Sequence, residues 1–212
     1  MKGKLIALFG IDGSGKTTIL KMLEHSSLDN TVYTSALTDA IFEEELFQAE
    51  KQLNFSRKEI FSHEFKYVLH IGSAIYKMFN TVLPLLNDGK NVILDRYTIC
   101  IELYASLFLD PSYKCIAKAL ECLPQPDLGI YFDVDIDTAL HRIRERNNRA
   151  GTIPHFSESE ESLIIKKARY ETIIPNEGYS ILKIDANNDI DEVCCSVLEK
   201  LSEYYIHYKT NC

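Results

Sequence analysis

The chain has 212 residues, of which 46% are hydrophobic and 25% are charged, and its formal net charge is −8. These values are ordinary for a globular protein and exclude a disordered, collagen-like or low-complexity chain. The negative charge argues against bulk binding to nucleic acid or to an anionic membrane, because both need a basic surface.

Five short runs predict β-strands, and the first is continuously apolar, as expected of a strand that is buried on both faces. In chain order they are Leu5–Phe9, Thr31–Thr34, Asn91–Leu94, Gly129–Val134 and Ser180–Ile184. Strands that alternate with helices of ten or more residues pair in parallel through crossover connections. The predicted fold class is therefore α/β, a doubly wound five-stranded parallel sheet with flanking helices. No linker divides the chain, so we expect a single domain over residues 1–212.

Helical patterns occupy the intervals between these strands. They are Lys16–His25, Asp39–Asn54, Glu64–Asn87, Tyr97–Leu109, Tyr113–Leu123, Ile136–Asn147, Glu158–Ile174 and Asp189–Tyr208. Pro84 predicts a kink near the end of the longest one. In such a sheet, ligands bind beyond the carboxyl ends of the strands, so the residues that follow strands one, three and four are the candidates for function.

The segment GIDGSGKT follows the first strand and fits the P-loop pattern G-x-x-x-x-G-K-[ST]. Its glycines let the backbone turn, so that successive N–H groups and the next helix N-terminus can surround phosphates. Lys16 can reach the β- and γ-phosphates of ATP, and Thr17 offers a hydroxyl ligand to Mg²⁺. The predicted ATP-binding residues are Gly10, Ile11, Asp12, Gly13, Ser14, Gly15, Lys16, Thr17 and Thr18.

Asp95 and Arg96 follow the third strand directly. An aspartate at the tip of a buried strand beside a P-loop can hold Mg²⁺ directly or through water. The guanidinium of Arg96 could bridge the donor and acceptor phosphates. In the alternative interpretation, Asp95 caps the next helix and Arg96 is a surface charge.

Four arginines fall within eight residues after the fourth strand: Arg142, Arg144, Arg146 and Arg149. Arginines stabilise the charge that phosphoryl transfer spreads over the equatorial oxygens, which makes the first three candidate catalytic residues. They open a lid segment at about residues 142–156, of which 147–156 is expected to be a flexible flap. The alternative is a solvated basic helix end that the helix dipole favours.

These motifs resemble the thymidylate kinase family of nucleoside monophosphate kinases. The resemblance rests on FGIDGSGKTT, ILDRY, PQPDLGIYFDVD, RIRER and LKIDANNDIDEV, which occur in this order over nearly the whole chain. It implies the P-loop nucleotide-kinase form of the fold. It also implies a role in nucleotide biosynthesis, through an Mg²⁺-dependent enzyme that transfers the γ-phosphate of ATP to dTMP or a related nucleoside monophosphate.

The resemblance also implies roles for single residues. The implied catalytic residues are Lys16, Asp12, Arg96, Arg142, Arg144 and Arg146. The implied acceptor contacts are Asp12, Arg96, Tyr97 and Tyr104. The implied metal ligands are Thr17 and Asp95. Gly13, together with the lid arginines, matches a subgroup that carries its catalytic arginines in the lid, and relatives of this kind often form homodimers.

The acceptor side departs from the family pattern. The family places an Asp-Arg pair in the long helix, where the Arg reaches the thymine base, but this chain has Ser73-Ala74. Replacement contacts could come from Lys66, Tyr67, His70 or Tyr76. Two alternatives therefore stay open: the same machinery acting on another nucleotide or small metabolite, and an ATP-binding switch without kinase activity.

The remaining features concern the cellular setting. The six cysteines, Cys100, Cys115, Cys122, Cys194, Cys195 and Cys212, form no C-x-x-C pair. Most lie in apolar stretches, which favours buried free thiols in a reducing compartment. No apolar run suits a signal peptide or approaches the ~18 residues that span a bilayer. We expect a cytoplasmic protein whose partner is a small-molecule phosphate acceptor, with neither nucleic acid nor membrane as a partner.

Overall fold

The described part of the chain forms one parallel β-sheet with helices packed against it. The structure is a computed structural model that describes residues 2–26, 28, 30–36, 48, 51–53, 62–108, 118–154 and 156–210. The strands are β1 (Leu5–Phe9), β2 (Thr31–Ser35), β3 (Asn91–Asp95), β4 (Leu128–Asp133) and β5 (Ser180–Asp185). All pairs are parallel, in the order β2-β3-β1-β4-β5. The predicted fold class is confirmed, and each strand lies within one residue of its predicted bounds.

Seven α-helices have both of their ends within the described residues. They are α1 (Lys16–Glu24), α2 (His63–Lys77), α3 (Leu83–Asn87), α4 (Thr98–Phe108), α5 (Ile136–Ala150), α6 (Glu160–Ile173) and α7 (Ile190–Thr210). Short 3₁₀ turns cover Lys118–Cys122, Phe156–Glu158 and Ile174–Asn176. None of the described helices is both long and apolar enough to cross a bilayer.

Two predicted helices fall largely on residues that the structure does not describe. Of Asp39–Asn54, only positions 48 and 51–53 are described, and they are helical. Of Tyr113–Leu123, the described end is the 3₁₀ turn Lys118–Cys122. The cysteine prediction holds for half of the four described free thiols, since Cys100 and Cys194 are buried whereas Cys122 and Cys195 are exposed.

The long predicted helix is divided by a change of helix type. A π-helical turn, Met78–Val82, joins α2 to α3, and the Leu83 N–H donates to the carbonyl of Met78. Pro84 lies at the start of α3, directly after this turn. Proline has no N–H and its ring crowds the preceding turn, so a wider turn before it relieves the conflict. The feature predicted as a kink at Pro84 is therefore a π turn ahead of it.

The core lies on both faces of the sheet. Every residue of β1 is buried. Ile6 and Leu8 belong to one apolar cluster and Leu5 and Ala7 to the other. A central parallel strand covered on both faces needs a continuous apolar run rather than an alternating one, which is why β1 reads LIALF.

The topology selects where the site forms. Because β1 lies between β3 and β4, the loops that follow these three strands open at the same edge of the sheet, where the connections diverge to either side. The register pairs Leu8 of β1 with Asp95 at the end of β3. Asp95 therefore stands beside the loop that leaves β1.

The packing around Gly129 in β4 leaves no room for a side chain. A Cβ at this position would meet Phe9 Cε1 and Tyr179 Cε2 at 2.9 Å each. We expect Gly129→Ala to lower the free energy of unfolding by about 1–3 kcal/mol through overpacking. Gly72 in α2 has nothing within 4 Å of such a Cβ, so Gly72→Ala should raise it by about 0.4–1 kcal/mol. Urea unfolding of both variants checks this, and equal effects would contradict it.

Candidate active site

The loop from Gly10 to Lys16 has a backbone that only glycine tolerates at three positions. Gly10, Gly13 and Gly15 have φ of 151°, 80° and 89°. A Cβ at Gly13 would lie 2.5 Å from the carbonyl oxygen of Ala139, and one at Gly10 would lie 2.7 Å from that of Phe132. Gly15 precedes the first residue of α1, so the loop delivers the chain to a helix N-terminus, where backbone N–H groups favour anions.

Lys16 is folded back on this loop. Its Nζ donates to the carbonyls of Gly10 (2.9 Å) and Ile11 (2.8 Å) and to Ser14 Oγ (3.0 Å). Only 4% of the residue is exposed, so Lys16 is buried against the loop rather than open to solvent. Burial, with the charge of Arg96 second, lowers the pKa of Lys16 to about 8. The three donors of the ammonium are all used, so a phosphate would take over contacts now made to the loop itself.

Thr17 and Asp95 meet where β1 and β3 end. Thr17 Oγ1 donates to Asp95 Oδ2 over 2.7 Å. Asp95 is buried, and its other oxygen, Oδ1, has no hydrogen-bond partner in the described structure. A hydroxyl and a carboxylate are the oxygen ligands that Mg²⁺ accepts when substrate phosphates and water complete its shell. The orphaned oxygen and this donor pair fit the predicted metal site.

Asp12 is held between two cations. Arg96 Nη2 lies 2.7 Å from Asp12 Oδ1, and Lys166 Nζ lies 2.6 Å from Asp12 Oδ2. Burial by itself raises the pKa of the Asp12 carboxyl, but the charges of Arg96, Lys166 and Lys16 outweigh burial and hold the pKa well below its usual range. Asp12 is therefore a permanent anion that accepts hydrogen bonds and cannot act as a general acid near neutral pH.

The backbone at Arg96 explains how its side chain reaches Asp12. Arg96 has φ of 69°, a left-handed conformation that is uncommon for a residue with a side chain. Its N–H donates to the carbonyl of Leu8 (2.9 Å), which continues the β1–β3 pairing past the end of β3. The turn that follows directs the guanidinium towards the P-loop, and the side chain stays 25% exposed.

The two tyrosines predicted to contact the acceptor occupy different places. Tyr104 on α4 lies with its ring centroid 5.5 Å from Lys166 Nζ, and burial and the nearby Asp12 raise the pKa of its phenol to about 12. Tyr97 is fully buried, and its hydroxyl donates to the Pro124 carbonyl over 2.8 Å. Tyr97 is therefore a core residue turned away from the P-loop, whereas Tyr104 lies next to the residues around Asp12, and an acceptor contact of Tyr104 stays a prediction.

The lid arginines separate along α5. Arg142 donates to the carbonyls of Ala186 (2.8 Å) and Asn188 (2.9 Å), and its Nη1 lies 4.0 Å from where a Cβ on Gly15 would be. It thus lies beside the P-loop. Arg146 is paired with Glu158 at 2.7 Å, and Arg144 is exposed.

The first four residues of the predicted flap, 147–150, are helical. Helix α5 continues through residues 147–150 and ends at Gly151, whose φ of 64° is the left-handed conformation of a helix C-cap. Asn147 is buried, and it accepts a hydrogen bond from Thr152 Oγ1 (2.8 Å). Between Gly151 and the 3₁₀ turn at 156–158, residues 151–154 are non-helical.

Helix α2 carries Ser73 and Ala74 at the two positions where the family has its base-reading Asp-Arg pair, and both residues are packed into the protein. Ser73 is buried and donates to the Leu69 carbonyl (2.9 Å), and Ala74 is in the core. Tyr67 is buried as well, whereas Tyr76 is 53% exposed. His70 is also exposed, and the side chain of Lys66 lies outside the described part of the structure.

Sequence reasoning missed Lys166. It shares one face of α6 with Leu163 and Tyr170, which are both fully buried, and is itself only 1% exposed. Positions i, i+3 and i+7 of a helix lie on the same side. The sequence signal for Lys166 was a lysine on the same helix face as two apolar core residues. Such a lysine is buried, and a buried lysine requires a charged or hydrogen-bonding partner.

A P-loop, a hydroxyl–carboxylate pair beside it and a cationic cluster at the carboxyl edge of a parallel sheet define a P-loop phosphotransferase. Residues 9–197 match the sequence model of the thymidylate kinase family. This chain belongs to the thymidylate kinase family.

Individual relatives agree with this assignment. The thymidylate kinase of Ligilactobacillus salivarius is 27% identical over 96% of this chain and 100% of its own length. That of Brachyspira hyodysenteriae is 30% identical over 96% of this chain and 95% of its own. A solved thymidylate kinase structure from Candida albicans covers 97% of this chain and 94% of its own, with a TM-score of 0.70 and 21% identity, and shares the fold.

The buried Lys16 makes stability depend on pH. Its folded pKa of about 8 lies below its ordinary value of 10.5, so the unfolded chain binds more protons between these values. Stability from this group therefore rises with pH through that window. We expect the free energy of unfolding of the wild type, relative to Lys16→Met, to rise by roughly 1–3 kcal/mol between about pH 7 and pH 10.

Urea unfolding at several pH values measures this difference. Lys21 is exposed on the same helix, and Lys21→Met controls for the loss of a lysine as such. Wild-type and Lys16→Met curves that stay parallel across the window would contradict the prediction.

Proposed function

We propose that this protein transfers the γ-phosphate of ATP to dTMP. Family membership supports the reaction. The observation that carries the proposal at this site is the contact of Arg96 with Asp12, 2.7 Å apart. Asp12 belongs to the loop that binds the donor, and Arg96 directly follows the strand beside it, so a group on a second substrate can meet the donor there. Such positioning is the main protein contribution to phosphoryl transfer.

The donor half uses the residues of the P-loop. Backbone N–H groups from Gly10 to Thr18 surround the β- and γ-phosphates, and Lys16 exchanges its carbonyl contacts for phosphate oxygens. Arg142 lies beside the same loop, held by the backbone that follows β5. It therefore contributes its charge at the donor end of the site.

Thr17 and Asp95 would hold Mg²⁺. When bound, the metal ion neutralises charge that develops on the donor phosphates. The chain's own part is to present the hydroxyl of Thr17, an exposed residue of α1, next to the buried Asp95 at the end of β3, whose Oδ1 is unpartnered.

The acceptor half is formed by Asp12, Arg96 and Tyr104. Arg96 binds the acceptor phosphate, since a guanidinium matches phosphate oxygens bidentately. Asp12 orients Arg96 and accepts from the acceptor sugar, and Tyr104 with its neutral phenol lines the pocket. Arg144 and Arg146 belong to the lid of about residues 142–156 and approach the transferring group when substrates are present.

The alternatives gain no support over the family reaction. A different acceptor remains of interest only because Ser73 and Ala74 are packed into the protein, where the family has its base-reading pair.

The homodimer and the cytoplasmic location stay predictions. Phe65, Val68, Tyr76 and Phe79 on α2 and the following π turn are 45–53% exposed, which is typical of an interface.

An acceptor panel tests the function. With ATP and Mg²⁺, we expect ADP formation to depend on an added nucleoside monophosphate, with dTMP preferred over dUMP, dCMP and dGMP. Lys16→Met should lower kcat by a factor on the order of 10³, because it removes charge stabilisation in the transition state. Lys21→Met is the control. ADP formation that is independent of any acceptor would show an ATPase instead.

Two substitutions of Thr17 test the proposed metal site. Thr17→Val removes the hydroxyl and should raise the Mg²⁺ concentration for half-maximal activity by about tenfold or more, whereas Thr17→Ser keeps the ligand and should change it little. Titration of activity with Mg²⁺ at saturating ATP measures both. Equal Mg²⁺ curves for the Val and Ser variants would remove Thr17 from the metal site.

A further inference from the structure

We propose that Lys166 is a positioning residue for phosphoryl transfer, which acts by holding the carboxylate of Asp12. This inference rests on the proposed function. Lys166 lies on α6, 154 residues from Asp12 in the sequence, and no motif of the P-loop includes it. Its role follows from its contacts, its burial and the residues that surround it.

The ammonium of Lys166 is fixed on three sides. Nζ donates to Asp12 Oδ2 and to the carbonyl of Ser157, both over 2.6 Å. The ring of Tyr104 lies 5.5 Å away, within the range of a cation–π contact. With its side chain 2% exposed, Lys166 has no access to water that could replace these partners. The ammonium therefore has one orientation, and it points at Asp12.

Stability alone does not explain a lysine at this position. Leu163 and Tyr170 flank it on the same face of α6 and are fully buried. Apolar residues at both positions 12 and 166 would pack there without the desolvation that buried charges suffer, and replacing a whole buried ion pair by apolar residues is often neutral or stabilising. The charge is better explained by the carboxylate that it contacts.

Lys166 fixes the orientation of the Asp12 carboxylate. Arg96 holds only Oδ1 of Asp12, so without Lys166 the carboxylate can rotate and both Asp12 and Arg96 leave the arrangement seen here. Asp12 and Arg96 both belong to the acceptor half of the site. Loss of Lys166 should therefore impair acceptor use rather than ATP binding, because small misplacement of a positioning group lowers the rate steeply.

Lys166→Met tests this, since methionine keeps most of the stem and removes the charge. We expect kcat/KM for dTMP to fall about 10–100-fold, while KM for ATP changes by less than about threefold. Thermal unfolding should remain cooperative, because methionine packs beside Leu163 and Tyr170. A variant that fails to fold would assign Lys166 a structural role and overturn the proposal, as would an unchanged kcat/KM.

Lys167 supplies the matched control. It neighbours Lys166 on α6, and its Nζ contacts Asp133 Oδ1 (2.9 Å) and the Val134 carbonyl (2.8 Å) rather than the P-loop. Lys167→Met removes a comparable ion pair, so it should leave kcat/KM for dTMP within about threefold of the wild type. A loss as large as that of Lys166→Met would contradict a specific role for Lys166.

A double-mutant cycle identifies the route of the effect. In an Asp12→Asn background the carboxylate is absent, so Lys166→Met should change kcat/KM by less than about threefold. A full effect in that background would overturn action through Asp12. Wild-type turnover of dTMP in the same assay tests the proposed function separately. If the wild type prefers another nucleoside monophosphate, the same ratios are measured with that acceptor.

Discussion

The carboxylate of Asp12 is the point on which the site depends, because it joins three parts of the chain that are distant in sequence. One oxygen meets Arg96, 84 residues away at the end of β3, and the other meets Lys166, 154 residues away on α6. Charges that are largely buried are stable only when they are paired and hydrogen-bonded. The P-loop, the end of β3 and helix α6 are therefore held in one arrangement by two short ion pairs.

The local charge is opposite to that of the whole chain. The protein carries a formal net charge of −8, but Lys16, Arg96, Arg142 and Lys166 gather at the carboxyl edge of the sheet beside Asp12 and Asp95. Substrates that bring several phosphate charges complete this balance. Lys16 is part of this cluster. The carbonyls of Gly10 and Ile11 accept hydrogen bonds from its ammonium, and a phosphate anion would replace them.

On the predicted acceptor side, this chain differs from the family pattern at two buried positions. Ser73 and Ala74 face the core of this protein, so no polar group at these two positions reaches a base. The residues predicted to handle phosphate, in the P-loop and at Asp95 and Arg96, do lie together at the edge of the sheet. The departure from the family pattern is thus confined to the predicted acceptor side.

Local patterns in the sequence determined the strands, the P-loop and the position of Asp95 and Arg96, because each depends on residues close together in the chain. The parallel pairing followed from the regular alternation of strands with helices. Tertiary structure alone decided that Tyr97 is a core residue, that Lys16 is buried, that α5 extends to Ala150 and that Lys166 reaches Asp12. The direction of a long side chain depends on what packs against it, and these neighbours come from distant segments. Lys166 could be found in the sequence only as a charge on an apolar face, and its partner only in the folded protein.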